Sequence, residues 1–168
     1  MNKFGLACEG ITDHITLENI LCGYFDDPDL DEAIIYLQPY LDATDQKQSD
    51  FGGWEVLLGY LQSERFREDV LNVEYVVVQI DTDIVEHVKF GGTYRDELGG
   101  ELTVKQLIIA TMEKLIEVMN IYNSEFYAKY QHKIIFAICV HSLECWLYAH
   151  YNTKLLKNPK VTGCGKAL

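Results

Sequence analysis

Acidic residues close three separate apolar runs of this chain, and carboxylates placed in that way are the raw material of metal-assisted phosphate chemistry. Glu9 follows the run at 4–8, with Asp13 one helical turn further on. Asp81 and Asp83 follow the run at 75–80, as Asp81-Thr82-Asp83. His141, Ser142 and Glu144 follow the run at 133–140. Like charges brought together repel unless some are protonated or a cation lies among them. Hard oxygen donors with open positions suit Mg²⁺ or Mn²⁺, held by a few carboxylates plus water and substrate phosphate. Such an ion polarises a phosphodiester, generates hydroxide and neutralises charge on the leaving oxygen. Residues 81 and 83 of a regular strand share a face, so both carboxylates are expected to aim at one ion.

Each of these residues also has a plainer reading. Glu9 could start a turn and accept hydrogen bonds from the first amides of the next helix. Asp81 and Asp83 could be a solvated strand end, and Glu144 could sit well against a helix dipole. His141 and His150 read most simply as a loop and a helix-surface histidine, and His14, beside Asp13, as a surface histidine. No zinc-ligand spacing accompanies Cys145.

The elements that must position these residues alternate along the chain. Runs at 4–8, 33–37, 75–80 and 133–140 read as buried strands, and the three consecutive valines at 76–78 are the strongest strand signal. Thr12 is expected to cap a helix that carries Asp13 in its first turn and stops at Asp26-Asp27-Pro28-Asp29. A loop from 42 to 53 leads into a helix from Trp54 to about Ser63, with a shorter helical turn at 66–71. Gly91 to Gly100 reads as a surface loop, and Thr103 to Gln106 as a capping box that opens a helix to about Asn120. The Tyr-rich stretch 122–130 around Phe126 reads as core or interface, and Ser142 as the cap of a helix over 143–151. Strand and helix in alternation predict an α/β fold with a central, mostly parallel sheet of about four strands flanked by helices. In such sheets ligands bind beyond the carboxyl ends of the strands, where the acidic residues stand.

Length and charge narrow the function classes. At 168 residues the chain is expected to form one domain over 1–151, followed by a tail over 152–168. An apolar share of 48% with only 3 prolines excludes a disordered protein. Fourteen Lys+Arg against 26 Asp+Glu give a formal net charge of −12, which excludes coating of nucleic acid through a broad basic surface. Phosphate contacts would fall to Lys89, Arg95 and the tail residues Lys154, Lys157, Lys160 and Lys166. Five cysteines with no CxxC pair argue against a disulfide framework and point to a reducing, cytoplasmic compartment. No apolar run approaches the ~20 residues that span a bilayer, so no membrane association is expected.

Taken in order, the motifs resemble a known family. Glu9-Gly10-Ile11-Thr12-Asp13 after an apolar strand is similar to the opening motif of the TOPRIM fold, found in topoisomerases, primases and OLD-type nucleases. Asp81-Thr82-Asp83 after a second apolar strand resembles that fold's D-x-D motif. His141 to Leu147 resembles a late segment of small stand-alone TOPRIM-like proteins of the OLD and RloB groups, and the loop Phe51-Gly52-Gly53-Trp54 is also similar to theirs. The resemblance spans most of residues 3–150. It implies a Rossmann-like TOPRIM fold and a metal-dependent nuclease of bacterial or phage defence, with an ATPase as a frequent companion. Glu9 then matches a general acid/base or metal-linked glutamate, Asp81 and Asp83 match metal ligands, and Asp13 and Glu144 match supporting positions. The chain departs from the family in offering few basic residues to a nucleic acid and no second domain bearing a nucleophilic tyrosine. The rival expectation is a degenerate, non-catalytic member, an acidic interaction subunit of a defence or mobile-element complex. Self-association is left open.

Overall fold

The computed structural model describes residues 2–40 and 53–151. Strand β1 (Asn2–Ala7) leads into helix α1 (Ile11–Phe25), a 3-10 turn (Pro28–Ala33) and strand β2 (Ile34–Gln38). Helices α2 (Trp54–Leu61) and α3 (Glu64–Asn72) precede strand β3 (Val73–Asp81). Helix α4 (Val104–Met119) and the short α5 (Phe126–Tyr130) lead to strand β4 (Ile134–Cys139) and helix α6 (Leu143–Tyr151). The strands form one sheet in the order β2-β1-β3-β4, and β1 runs parallel to both β2 and β3. The expected α/β architecture with a four-stranded parallel sheet is therefore present, and it is Rossmann-like. Among the described residues no helix is long and apolar enough to cross a membrane.

Two compact units divide the chain: Met1–Ile80 with Glu113–Ala137, and Asp81–Met112 with Ile138–Leu168. In the first unit, strand alternation sorts the core. Phe4, Leu6 and Cys8 of the β1 run pack with Ile34 of β2, Val77 of β3, Leu17 of α1 and Leu30. The register places Leu6 opposite both Tyr36 and Val77, so one face of the strands carries the large side chains. The other face comes so close at Gly5 that a Cβ there would lie 2.5 Å from Leu37 Cδ1. A larger residue there would require the Leu37 side chain to shift. Val76, Val78 and Ile80 are fully buried as well, which explains why β3 reads as an unbroken apolar run. Phe66 of α3 packs against Tyr60 of α2 and Phe126 of α5. Phe126 thus belongs to the core, whereas Tyr122 is exposed.

Local chemistry explains where the helices start. The N-cap of α1 is Gly10, not Thr12 as the sequence suggested: the Asp13 carboxylate accepts the Gly10 N–H at 2.8 Å, and Thr12 lies inside the first turn. Ser63 caps α3 by accepting the Phe66 N–H at 3.2 Å. The capping box of α4 forms as expected, with Thr103 N–H donating to Gln106 Oε1 at 2.9 Å and Gln106 N–H donating to Thr103 Oγ1 at 3.3 Å. The helix pattern of α1 departs from expectation on its buried face. Asp13, His14 and Leu17 are buried, while Ile15 and Ile20 are about half exposed. The reading of His14 as a surface residue is thereby corrected, since its ring is fully enclosed.

Candidate functional site

In the second unit the end of β3 and the turn after β4 are tied together by Thr82, the middle residue of Asp81-Thr82-Asp83. Thr82 is fully buried. Its N–H donates to the Cys139 carbonyl at 2.9 Å, and its Oγ1 accepts the His141 N–H at 2.8 Å. Its carbonyl accepts the Tyr94 hydroxyl. The next amide, Asp83 N–H, donates to the His141 carbonyl at 3.1 Å. Both backbone groups of His141 are therefore held by this short segment. His141 itself adopts φ 70°, a left-handed conformation that costs energy for a residue with a Cβ.

The two aspartates flanking Thr82 have different surroundings. Strand β3 ends at Asp81, so the chain has turned before Asp83. Both carboxylate oxygens of Asp81 lie within reach of the Leu143 N–H, at 3.2 and 3.3 Å, at the start of α6. There the negative charge also meets the positive end of the helix dipole. The first amide of α6 is thus satisfied by Asp81 across 62 residues of sequence rather than by the neighbouring Ser142. Asp83 is exposed, yet its carboxyl is pushed above the ordinary aspartate range. Partial burial contributes most, the negative charge of Glu144 adds to it, and His141 opposes both. Glu144 occupies the first turn of α6 and is half-buried. Asp83, Glu144 and His141 are therefore electrostatically coupled neighbours.

The remaining expected site residues fall elsewhere. Glu9 belongs to the first unit, where its N–H donates to Gln79 Oε1 at 3.3 Å and its carbonyl accepts the Gly53 N–H at 2.6 Å. The end of β1 is thus fixed by the side chain of a buried β3 residue and by the glycine that opens α2. Asp13, in the same unit, caps α1. Arg95 is exposed and donates through Nη1 to the Gly99 carbonyl at 3.0 Å. Lys89 is exposed on the loop after Asp83. Lys154, Lys157, Lys160 and Lys166 lie outside the described residues. Cys8, Cys22 and Cys139 form no disulfide.

A divalent ion is the group these residues would have to fit. Among the described residues, no group of three or more His, Cys, Asp or Glu side chains is arranged to hold a metal ion. The coupled pair Asp83 and Glu144 fits the smaller requirement of Mg²⁺, which is commonly held by one or two carboxylates and keeps several waters. Sequence reasoning missed Thr82 and Tyr94, whose bonds span 59 and 12 residues. A threonine between two aspartates carries no periodicity signal, and Tyr94 sits in an unpatterned loop. No family model, curated protein or solved structure matches the chain.

Proposed function

We propose that the chain is a metal-dependent phosphodiesterase of the TOPRIM type that acts on DNA or RNA, in bacterial or phage defence. The observation that carries this reading is the Asp83 carboxyl, raised above the ordinary aspartate range by desolvation and by the neighbouring charge of Glu144, just beyond the end of β3. Mg²⁺ or Mn²⁺ held by the two carboxylates would counter that rise and supply the Lewis acidity that phosphodiester cleavage requires. Asp83 and Glu144 would bind the ion. Thr82 fixes the backbone around Asp83, and Asp81 anchors the helix that carries Glu144. Lys89 and Arg95 would contact phosphate.

A second reading is favoured by a specific observation, the lack of a three-ligand group among the described residues. In it the chain is a non-catalytic acidic subunit that binds a basic partner, such as a companion ATPase, through its charge of −12. Calorimetric titration with Mn²⁺, together with cleavage assays on supercoiled plasmid and single-stranded RNA, separates the two. The nuclease reading expects Mn²⁺ binding and cleavage, both lost in Asp83→Asn and Glu144→Gln while the circular dichroism spectrum is retained. Absence of Mn²⁺ binding and cleavage in the unaltered chain, or unchanged cleavage in Asp83→Asn, refutes it.

A further inference from the structure

The second unit also holds an open cavity of about 520 Å³, whose lining includes His141 and Arg95. Its volume falls in the range of small-molecule sites, about 300–1,000 Å³. Val104 and Leu107 at the start of α4 give it an apolar wall, and the rings of Tyr94 and His141 line it as well. Its other charged groups are two carboxylates, Glu86 and Glu101, and the Arg95 guanidinium, whose Nη1 donates to the Gly99 carbonyl at 3.0 Å. The walls are held in place before any ligand arrives. Tyr94 is anchored through its hydroxyl to the Thr82 carbonyl, and its own carbonyl accepts the Leu102 N–H at 2.7 Å. Arg95 and Glu101 pair as a short antiparallel bridge, which fixes the strip between the two halves of the rim.

The lining selects its occupant by chemistry. Rings and aliphatic groups suit a flat, weakly polar body. The two carboxylates accept hydrogen bonds, so the ligand must present donors to them, and its negative charge must lie away from them, where Arg95 can receive it. His141 and Tyr94 connect the cavity to the Asp83 segment: the His141 carbonyl accepts the Asp83 N–H at 3.1 Å, and the Tyr94 hydroxyl donates to the Thr82 carbonyl. A nucleotide meets all these conditions, with its base in the cavity and its phosphate toward Arg95.

We propose that this cavity receives a single unpaired nucleobase bearing an exocyclic amino group, adjacent to the phosphate to be cleaved. The inference rests on the phosphodiesterase reading and narrows it: the substrate is an unpaired strand, since a base inside a duplex cannot enter a concave cavity without leaving its stack. Glu86 and Glu101 accept from the amino group, as acidic side chains accept from cytosine N4 in base readout. Uracil, which lacks an amino group, binds less well.

The test is calorimetric titration of the full chain, without metal, with cytidine, adenosine, guanosine, uridine and putrescine. Nucleosides carry no phosphate, so they read the cavity alone. The expected result is tighter binding of the three amino-bearing nucleosides than of uridine, by about tenfold for one good hydrogen bond to a charged acceptor. Val104→Trp narrows the mouth at a position that is 60% exposed and should weaken all nucleosides together. Glu86→Gln combined with Glu101→Gln should remove the preference over uridine. Putrescine binding without nucleoside binding, equal affinity for all four nucleosides, or indifference to Val104→Trp overturns the proposal. The two readings fail separately. Metal-dependent cleavage with no nucleoside binding leaves the nuclease and removes the base site. Selective nucleoside binding with no cleavage keeps the base site and removes the nuclease.

Discussion

Lowering the pH through the ordinary histidine range should weaken the fold through His14. Its ring is fully buried and stacks on Tyr36 with centroids 4.3 Å apart. Nε2 lies 2.7 Å from the Gln38 carbonyl oxygen, which can only accept, so the neutral tautomer carries its proton on Nε2. Nδ1 makes no hydrogen bond. Adding a second proton there would place a charge in the core, and burial accordingly lowers the His14 pKa from 6.5 to about 4, against smaller opposing effects of the Gln38 and Leu6 backbone. In the unfolded chain the imidazole takes its proton near the ordinary value, whereas the folded chain refuses it until about pH 4. Between those values the unfolded state binds more protons, so stability falls as pH falls. Above pH 6.5 His14 adds no pH dependence, and below about pH 4 its effect levels off. At about 1.4 kcal/mol per pH unit the full loss is about 3 kcal/mol, a large part of the total stability of a typical domain. The assay is urea denaturation at several pH values between 7 and 4, on the unaltered chain and on His14→Gln, which keeps a donor for the Gln38 carbonyl. Carboxylates titrate equally in both, so the difference between the two curves isolates His14. The gap should change by about 3 kcal/mol over that range, in favour of the variant at low pH. Parallel curves would refute the reasoning, as would an NMR titration of His14 with a midpoint above 6.

Two further substitutions test the polar accounting inside the second unit. Thr82→Val keeps the shape but removes the oxygen that accepts the His141 N–H, leaving that amide without its partner. A loss of about 1–3 kcal/mol in urea denaturation is expected, and a loss below about 0.5 kcal/mol would show that His141 is held by other means. Thr111 is 1% exposed and its hydroxyl has no hydrogen-bond partner, so Thr111→Val should be neutral or stabilise by up to about 1 kcal/mol. A clear destabilisation would refute the reading of that hydroxyl as unsatisfied.

Where local signals and burial agree, the sequence is informative. Tyr75-Val76-Val77-Val78 is both extended by propensity and buried by position, and β3 forms there. Thr103 and Gln106 satisfy each other within one turn, and α4 begins where that box predicts. At α1 the signals separate. Ile15 and Ile20 are about half exposed, while the helix turns Asp13, His14 and Leu17 inward. A carboxylate used as a cap and an imidazole stacked on Tyr36 are buried by specific partners, and hydropathy cannot register those. The same limit applies to the candidate site. The type and spacing of Asp81, Asp83 and Glu144 were readable. Their division of labour was not, because it depends on bonds between residues about 60 positions apart.

That division is what makes the Asp-Thr-Asp segment informative about function. Asp81 has a compensated charge: it accepts the first amide of α6 and faces the helix dipole. A strand end that needed only a helix cap would be complete with Asp81 alone. Asp83 has no such compensation in its carboxyl equilibrium, which burial and Glu144 both push toward the protonated form, with His141 the one opposing group. Keeping it there costs stability in a chain that already carries −12. Thr82 adds to that cost by holding His141 at a positive φ next to the pair. A raised carboxyl beside a second carboxylate and a strained residue held by one buried hydroxyl is more than a solvated strand end requires. Of the two motif aspartates, Asp81 caps α6 and Asp83 keeps the raised carboxyl, so the proposed ion would fall to Asp83.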